Sequence, residues 1–72
     1  MSVLEAIDAG FQCKTQEQFN GCLLHVSRLL KQEGNDELAD WIETNRAANI
    51  GHKYGKEERN GVLLAISFKY KQ

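Results

Sequence analysis

Two segments of this chain open on the same device, and no proline stands anywhere to break a helix once it has begun. Ser2-Val3-Leu4-Glu5 has the form of a capping box, in which the Ser2 hydroxyl accepts from an orphan backbone N–H and Glu5 reaches back to the Ser2 amide. Thr15-Gln16-Glu17-Gln18 repeats it in T-x-x-Q form. Such signals fix where a helix begins before any tertiary contact exists. They commit the chain to a mainly α fold.

The apolar spacing agrees. Behind Thr15, the residues Phe19, Cys22, Leu23, Val26, Leu29 and Leu30 recur as one face of a helix running to Gly34. Behind Ser2, Leu4, Ile7 and Phe11 outline a shorter helix, with Gly10 as its left-handed stop. Gly21 inside the second helix disfavours it by roughly 0.5–1 kcal/mol relative to Ala, which suggests another backbone packed close by. Asn35 is an N-cap, and Asp36 and Glu37 load the next turn with the charge its dipole favours. Leu38, Trp41 and Ile42 form the stripe of that third helix, which frays before Gly51. The second and third helices are expected to meet at an αα-hairpin or helix-turn-helix corner, joined by only one or two residues.

The last third reads two ways. Ile66 to Lys71 alternates like a half-exposed strand, whereas Glu57 and Glu58 early with Lys69 and Lys71 late match the order a helix dipole rewards. A helix is preferred, because a strand would find no good partner in the chain. The expected fold is a small bundle of three to four short helices near residues 2–10, 15–33, 35–48 and 57–70. The alternative is α+β with a C-terminal strand at 62–70. The expected core is Leu4, Ile7, Phe11, Phe19, Leu23, Val26, Leu30, Leu38, Trp41, Ile42 and Ile66. At 72 residues, one domain spanning 1–72 is expected.

Charge divides the chain. Residues 1–45 carry eight acids against three bases, a net −5, and residues 46–72 carry six bases against two acids, a net +4. The overall −1 conceals a dipolar molecule. Glu5 and Asp8 interrupt the only apolar stretch near the start, so no signal peptide is expected. The apolar run from Val62 to Ile66 is far short of the ~20 residues that span a bilayer. Cys13 and Cys22 are expected to be reduced thiols, because Cys22 falls about two turns inside its helix and a disulfide needs Cα atoms roughly 4.4–6.8 Å apart. Together these point to a soluble, cytoplasmic protein.

No chemical constellation outweighs its plain structural reading. Cys13, Cys22, His25 and His52 are zinc-ligand types, but none of their spacings clasps a metal within one short turn. A Cys–His pair exists in type, yet Cys22 would lie in mid-helix on a buried face, where a thiolate is disfavoured. No catalytic residue, metal or cofactor is expected, and the protein is not expected to be an enzyme. The segment Gly51-His52-Lys53-Tyr54-Gly55-Lys56 has the chemistry to cradle a phosphate but lacks P-loop spacing.

Two functional classes remain. The first is stoichiometric binding of another protein, by a regulator or inhibitor working through Asp36, Glu37, Asp40, Trp41 and Glu43 on the third helix. The second is nucleic-acid or nucleotide binding through Lys53, Tyr54, Lys56, Arg59, Lys69 and Lys71. The acids on the third helix would repel a phosphate backbone, so protein binding is preferred. A homodimer is expected, because Val62, Leu63, Leu64, Ile66, Phe68 and Tyr70 are too many apolar groups for one short helix to bury.

Overall fold

The first three helices each start where a side chain accepts from an orphan amide. Ser2 Oγ accepts from Glu5 N at 3.1 Å, and Glu5 Oε1 accepts from Ser2 N at the same distance. Thr15 Oγ1 accepts from Gln18 N at 3.1 Å, but the Gln18 amide reaches one residue further back, to Lys14 N at 2.8 Å. Asn35 Oδ1 accepts from Leu38 N at 3.2 Å. Gly55 has no side chain to offer, and Glu58 Oε1 accepts from its amide at 3.3 Å. The computed structural model, which describes residues 2–72, accordingly contains α1 (Val3–Gly10), α2 (Gln16–Gln32), α3 (Asp36–Ala48) and α4 (Lys56–Lys71). Among the described residues there is no strand. The segment 62–70 is helical, and a strand there would have had no neighbour to complete its hydrogen bonds.

The glycine stops divide. Gly34, at φ +83°, ends α2 in a Schellman arrangement, with its own amide donating to Lys31 O and that of Asn35 to Leu30 O. Gly51, at φ +85°, turns the chain after α3. Gly10 is not left-handed. α1 ends through tight turns, Gln12 N donating to Ala9 O and Cys13 N to Gly10 O. Its glycine serves space instead, since a Cβ there would stand 2.7 Å from Cys22 Sγ and 2.8 Å from Leu63 Cδ2. The expectation for Gly21 fails in the opposite sense, because nothing lies within 4 Å of the corresponding point. The close approach is at Gly10.

Three residues, Glu33 to Asn35, join α2 to α3, slightly more than expected. α2 packs against α1 on one side and α3 on the other, and α4 closes the bundle against α1 and α3. The radius of gyration, 11.1 Å, matches the ~11 Å of a globular domain of this length.

Buried in the centre are Phe19, Leu23, Val26 and Leu30 from α2 and Leu38, Ala39 and Ile42 from α3. Leu63 and Ile66 join them from α4, and Val3, Ala6 and Ile7 from α1. Three expected core residues are not buried. Leu4 is 40% exposed, and Phe11 and Trp41 are half-buried at the edge. In α1 the buried face is Val3, Ala6, Ile7 and Gly10, rotated from the Leu4–Ile7–Phe11 stripe. That rotation sets the Ala6–Gly10 side of α1 directly on its neighbours, with Ile7 fully buried beside it; Cys22 Sγ donates to Ala6 O at 3.5 Å. None of the helices described is long and apolar enough to cross a membrane.

Candidate functional site

The acids of α3 do not form a single row. At about 100° per residue, Glu37, Asp40 and Thr44 fall opposite the buried Leu38, Ala39 and Ile42, while Asp36 and Glu43 run along one flank and Trp41 stands on the other. The Trp41 flank meets α4 in a shallow groove of about 510 Å³, lined among others by Asn35, Glu37, Asp40, Trp41, Thr44 and Lys69. The Lys69 ammonium lies 5.0 Å from the centroid of the Trp41 ring, an intramolecular cation–π contact. Glu43 is engaged elsewhere, accepting from Arg46 Nη1 at 3.1 Å, and Asp36 is exposed in the first turn. Of the five residues expected to bind a partner, Glu37, Asp40 and Trp41 line the groove, and Asp36 and Glu43 do not.

The basic set is scattered. Lys56, Arg59, Lys69 and Lys71 project on different sides of α4, so they make no continuous stripe for a phosphate backbone. Lys69 is over Trp41, and Arg59 Nη1 donates to Tyr54 O at 3.1 Å. Tyr54 is a structural pin rather than an open stacking platform. Its amide donates to Gln16 Oε1 at 3.0 Å, and its ring lies 5.2 Å from that of Phe19 and 4.7 Å, edge-on, from that of His52.

That pinned loop forms a second cavity, of about 310 Å³, from residues that stand far apart in the sequence. Arg46, Lys53 and His52 line it together with Gln16, Asn20 and Asn49, and no carboxylate is among its lining residues. Arg46 Nε is buried there without a hydrogen-bond partner. No sequence pattern brings Gln16 and Asn20 of α2 against residues 46–54; only the folded bundle does. On the outer side of the loop, His52 Nε2 lies 2.8 Å from Glu58 Oε2. That contact and the Gly55 amide hold the Glu58 carboxyl below the usual carboxylate range.

Cys13 and Cys22 are free thiols, half-buried against the core. The turns after Gly10 do carry Cys13 back to Cys22, contrary to the separation expected from helix rise. Burial, with the adjacent Cys13 adding to it, pushes the Cys22 thiol up to about 11. Among the described residues no group of three or more histidine, cysteine or acidic side chains is placed to hold a metal ion. Comparison with protein-family models, with curated proteins and with solved structures gives no match.

Proposed function

We propose that this protein is a non-catalytic module that binds another protein stoichiometrically, as a cytoplasmic regulator or inhibitor, through the groove between α3 and α4. The observation that carries this reading is Trp41. Its half-buried ring lines a groove bordered by Glu37 and Asp40, and a lysine already lies over its face. A basic side chain of a partner would meet the two carboxylates and compete with Lys69 for the ring, and tryptophan is among the residues that most often dominate an interface. The exposed apolar residues Leu64 and Phe68 support the further reading that the module works as a homodimer.

The test is capture of a partner from lysate, with and without nuclease, by wild type, by a Glu37→Lys/Asp40→Lys variant and by a Lys53→Glu/Lys56→Glu variant. One discrete protein is expected, surviving nuclease and lost only in the groove variant. The single tryptophan of the chain gives a second readout, since Trp41 emission should change when that protein is added. Capture that disappears with nuclease and responds only to the loop variant would end the proposal.

The cavity at Arg46 favours a second reading, binding of a phosphate-bearing ligand. Its lining combines Arg46, His52 and Lys53 with three amides and no acid. Glu43 and Glu58, outside the lining, contact Arg46 and His52, but Arg46 Nε is left unpaired. Titration with inorganic phosphate, monitored by amide shifts over residues 46–55, tests it directly. No shift at millimolar phosphate would remove this reading.

A further inference from the structure

α4 carries a second apolar stripe that its own chain leaves uncovered. Glu57, Gly61, Leu64, Phe68 and Lys71 fall on one side of the helix, spaced alternately four and three residues apart, which is the spacing of a coiled-coil seam. Leu64 is 60% exposed and Phe68 69% exposed. Glu57, Gly61 and Lys71 are exposed as well, and nothing lies within 4 Å of where a Cβ on Gly61 would stand. The buried residues of the same helix, Leu63 and Ile66, face the core instead. The stripe is self-complementary: acid at its start, base at its end, apolar groups between.

We infer that this stripe pairs with the same stripe of a second copy, antiparallel, about a two-fold axis. The inference rests on the homodimer of the proposed function and adds which helix makes it and in which direction. Charge decides the direction. Parallel pairing would set Glu57 against Glu57 and Lys71 against Lys71. Antiparallel pairing sets Leu64 against the second copy's Phe68 and carries Lys71 across the second copy's Gly61 towards its Glu57. The missing side chain at Gly61 leaves room for the lysine stem to lie along the helix while its ammonium stays in water. Every contact occurs twice, so the assembly closes at two copies.

The pairing is weak by construction. A helix of this length spans about 24 Å, so the interface falls short of the ~800 Å² per partner of a standard stable complex. A micromolar dimer is the consequence, with its exposed ion pairs setting direction more than strength. The stripe is also separate from the groove. Lys69 projects about a third of a turn away around α4, so the two surfaces can be altered independently.

Sedimentation equilibrium up to high micromolar concentration tests the inference. Wild type is expected to dimerise reversibly, and Leu64→Asp to be monomeric with its helical circular dichroism retained. Glu57→Lys and Lys71→Glu should each weaken association about tenfold, because each turns both symmetric ion pairs into like-charge pairs. The double variant should recover wild-type affinity. A wild-type monomer, a Leu64→Asp variant that still dimerises, or a double swap weaker than either single swap would overturn it. Partner capture by Leu64→Asp is read separately. A wild-type dimer that captures nothing fails the groove reading alone, and a wild-type monomer that still captures its partner fails this one alone. A monomeric Leu64→Asp variant that captures as wild type does is the result expected if both hold.

Discussion

α2 and α4 are nearly equal in length, 17 and 16 residues, yet the bundle uses them differently. α2 has one apolar face, and its neighbours cover it: Phe19, Leu23, Val26 and Leu30 are all buried between α1 and α3. α4 has two. Leu63 and Ile66 enter the core, while Leu64 and Phe68 remain in solvent one step further round. The contrast comes from position. A central helix is packed on both sides, whereas α4 packs on α1 and α3 with one side and none of the described helices covers its far side. An apolar residue on α2 therefore carries stability, and one on the outer side of α4 is free to carry association.

The sharpest way to break that comparison is truncation on each helix. Phe19→Ala should cost about 3–5 kcal/mol, enough to unfold a domain whose total stability is of the same order, and Leu63→Ala about 2–5 kcal/mol. Phe68→Ala should stay within about 0.5 kcal/mol. Urea unfolding of the three variants, at a concentration where the protein is monomeric, measures the difference. A large loss at Phe68 under those conditions would mean that the outer stripe belongs to the fold after all.

Glycines give the next largest contrast. Gly10→Ala would drive a methyl group into Cys22 and Leu63, where α1 meets α2 and α4, and should cost about 1–3 kcal/mol. Gly21→Ala, on the open side of α2, should instead raise stability by about 0.5–1 kcal/mol. Thermal melts of both decide the matter, and a gain at Gly10 would refute the close approach.

The two thiols differ in chemistry. With the Cys22 thiol pushed up to about 11, it presents on the order of a hundredfold less thiolate at neutral pH than an ordinary cysteine, so alkylation should label Cys13 first. Peptide mass mapping of briefly treated protein reads the order.

The smallest effect is at the start of α4. Because the folded Glu58 carboxyl lies below its unfolded value of about 4.3, its stabilisation is complete above that pH and disappears as the pH falls through the folded value. Glu58→Gln should remove that component from the acid limb of the stability curve and leave the core unaffected. An identical acid limb in the variant would show that the His52 and Gly55 contacts contribute nothing.

Much of this molecule was already legible in short stretches of sequence. The helices at Ser2, Thr15 and Asn35 start within a residue of where their caps place them, and Gly34 ends α2, because a cap is a contact between residues three or four apart. The helical reading of 57–70 succeeded for a related reason, since its charge order is a local match to the dipole. What the tertiary structure alone decided is which face of each helix turns inward. α1 buries Val3, Ala6 and Ile7 rather than Leu4, because Gly10, with no room for a Cβ against Cys22 and Leu63, sets that side of the helix inward. Trp41 belongs to a groove edge because α4 brings Lys69 over its ring there, and the acidic row is divided because Arg46 takes Glu43 while the groove takes Glu37 and Asp40. The cavity at Arg46 forms where Gln16 and Phe19 of α2 hold Tyr54, the former across 38 positions of chain. Caps and periodicity act over one turn of helix, and so can be read from neighbours; facing and pairing depend on distant residues meeting, which no local pattern encodes.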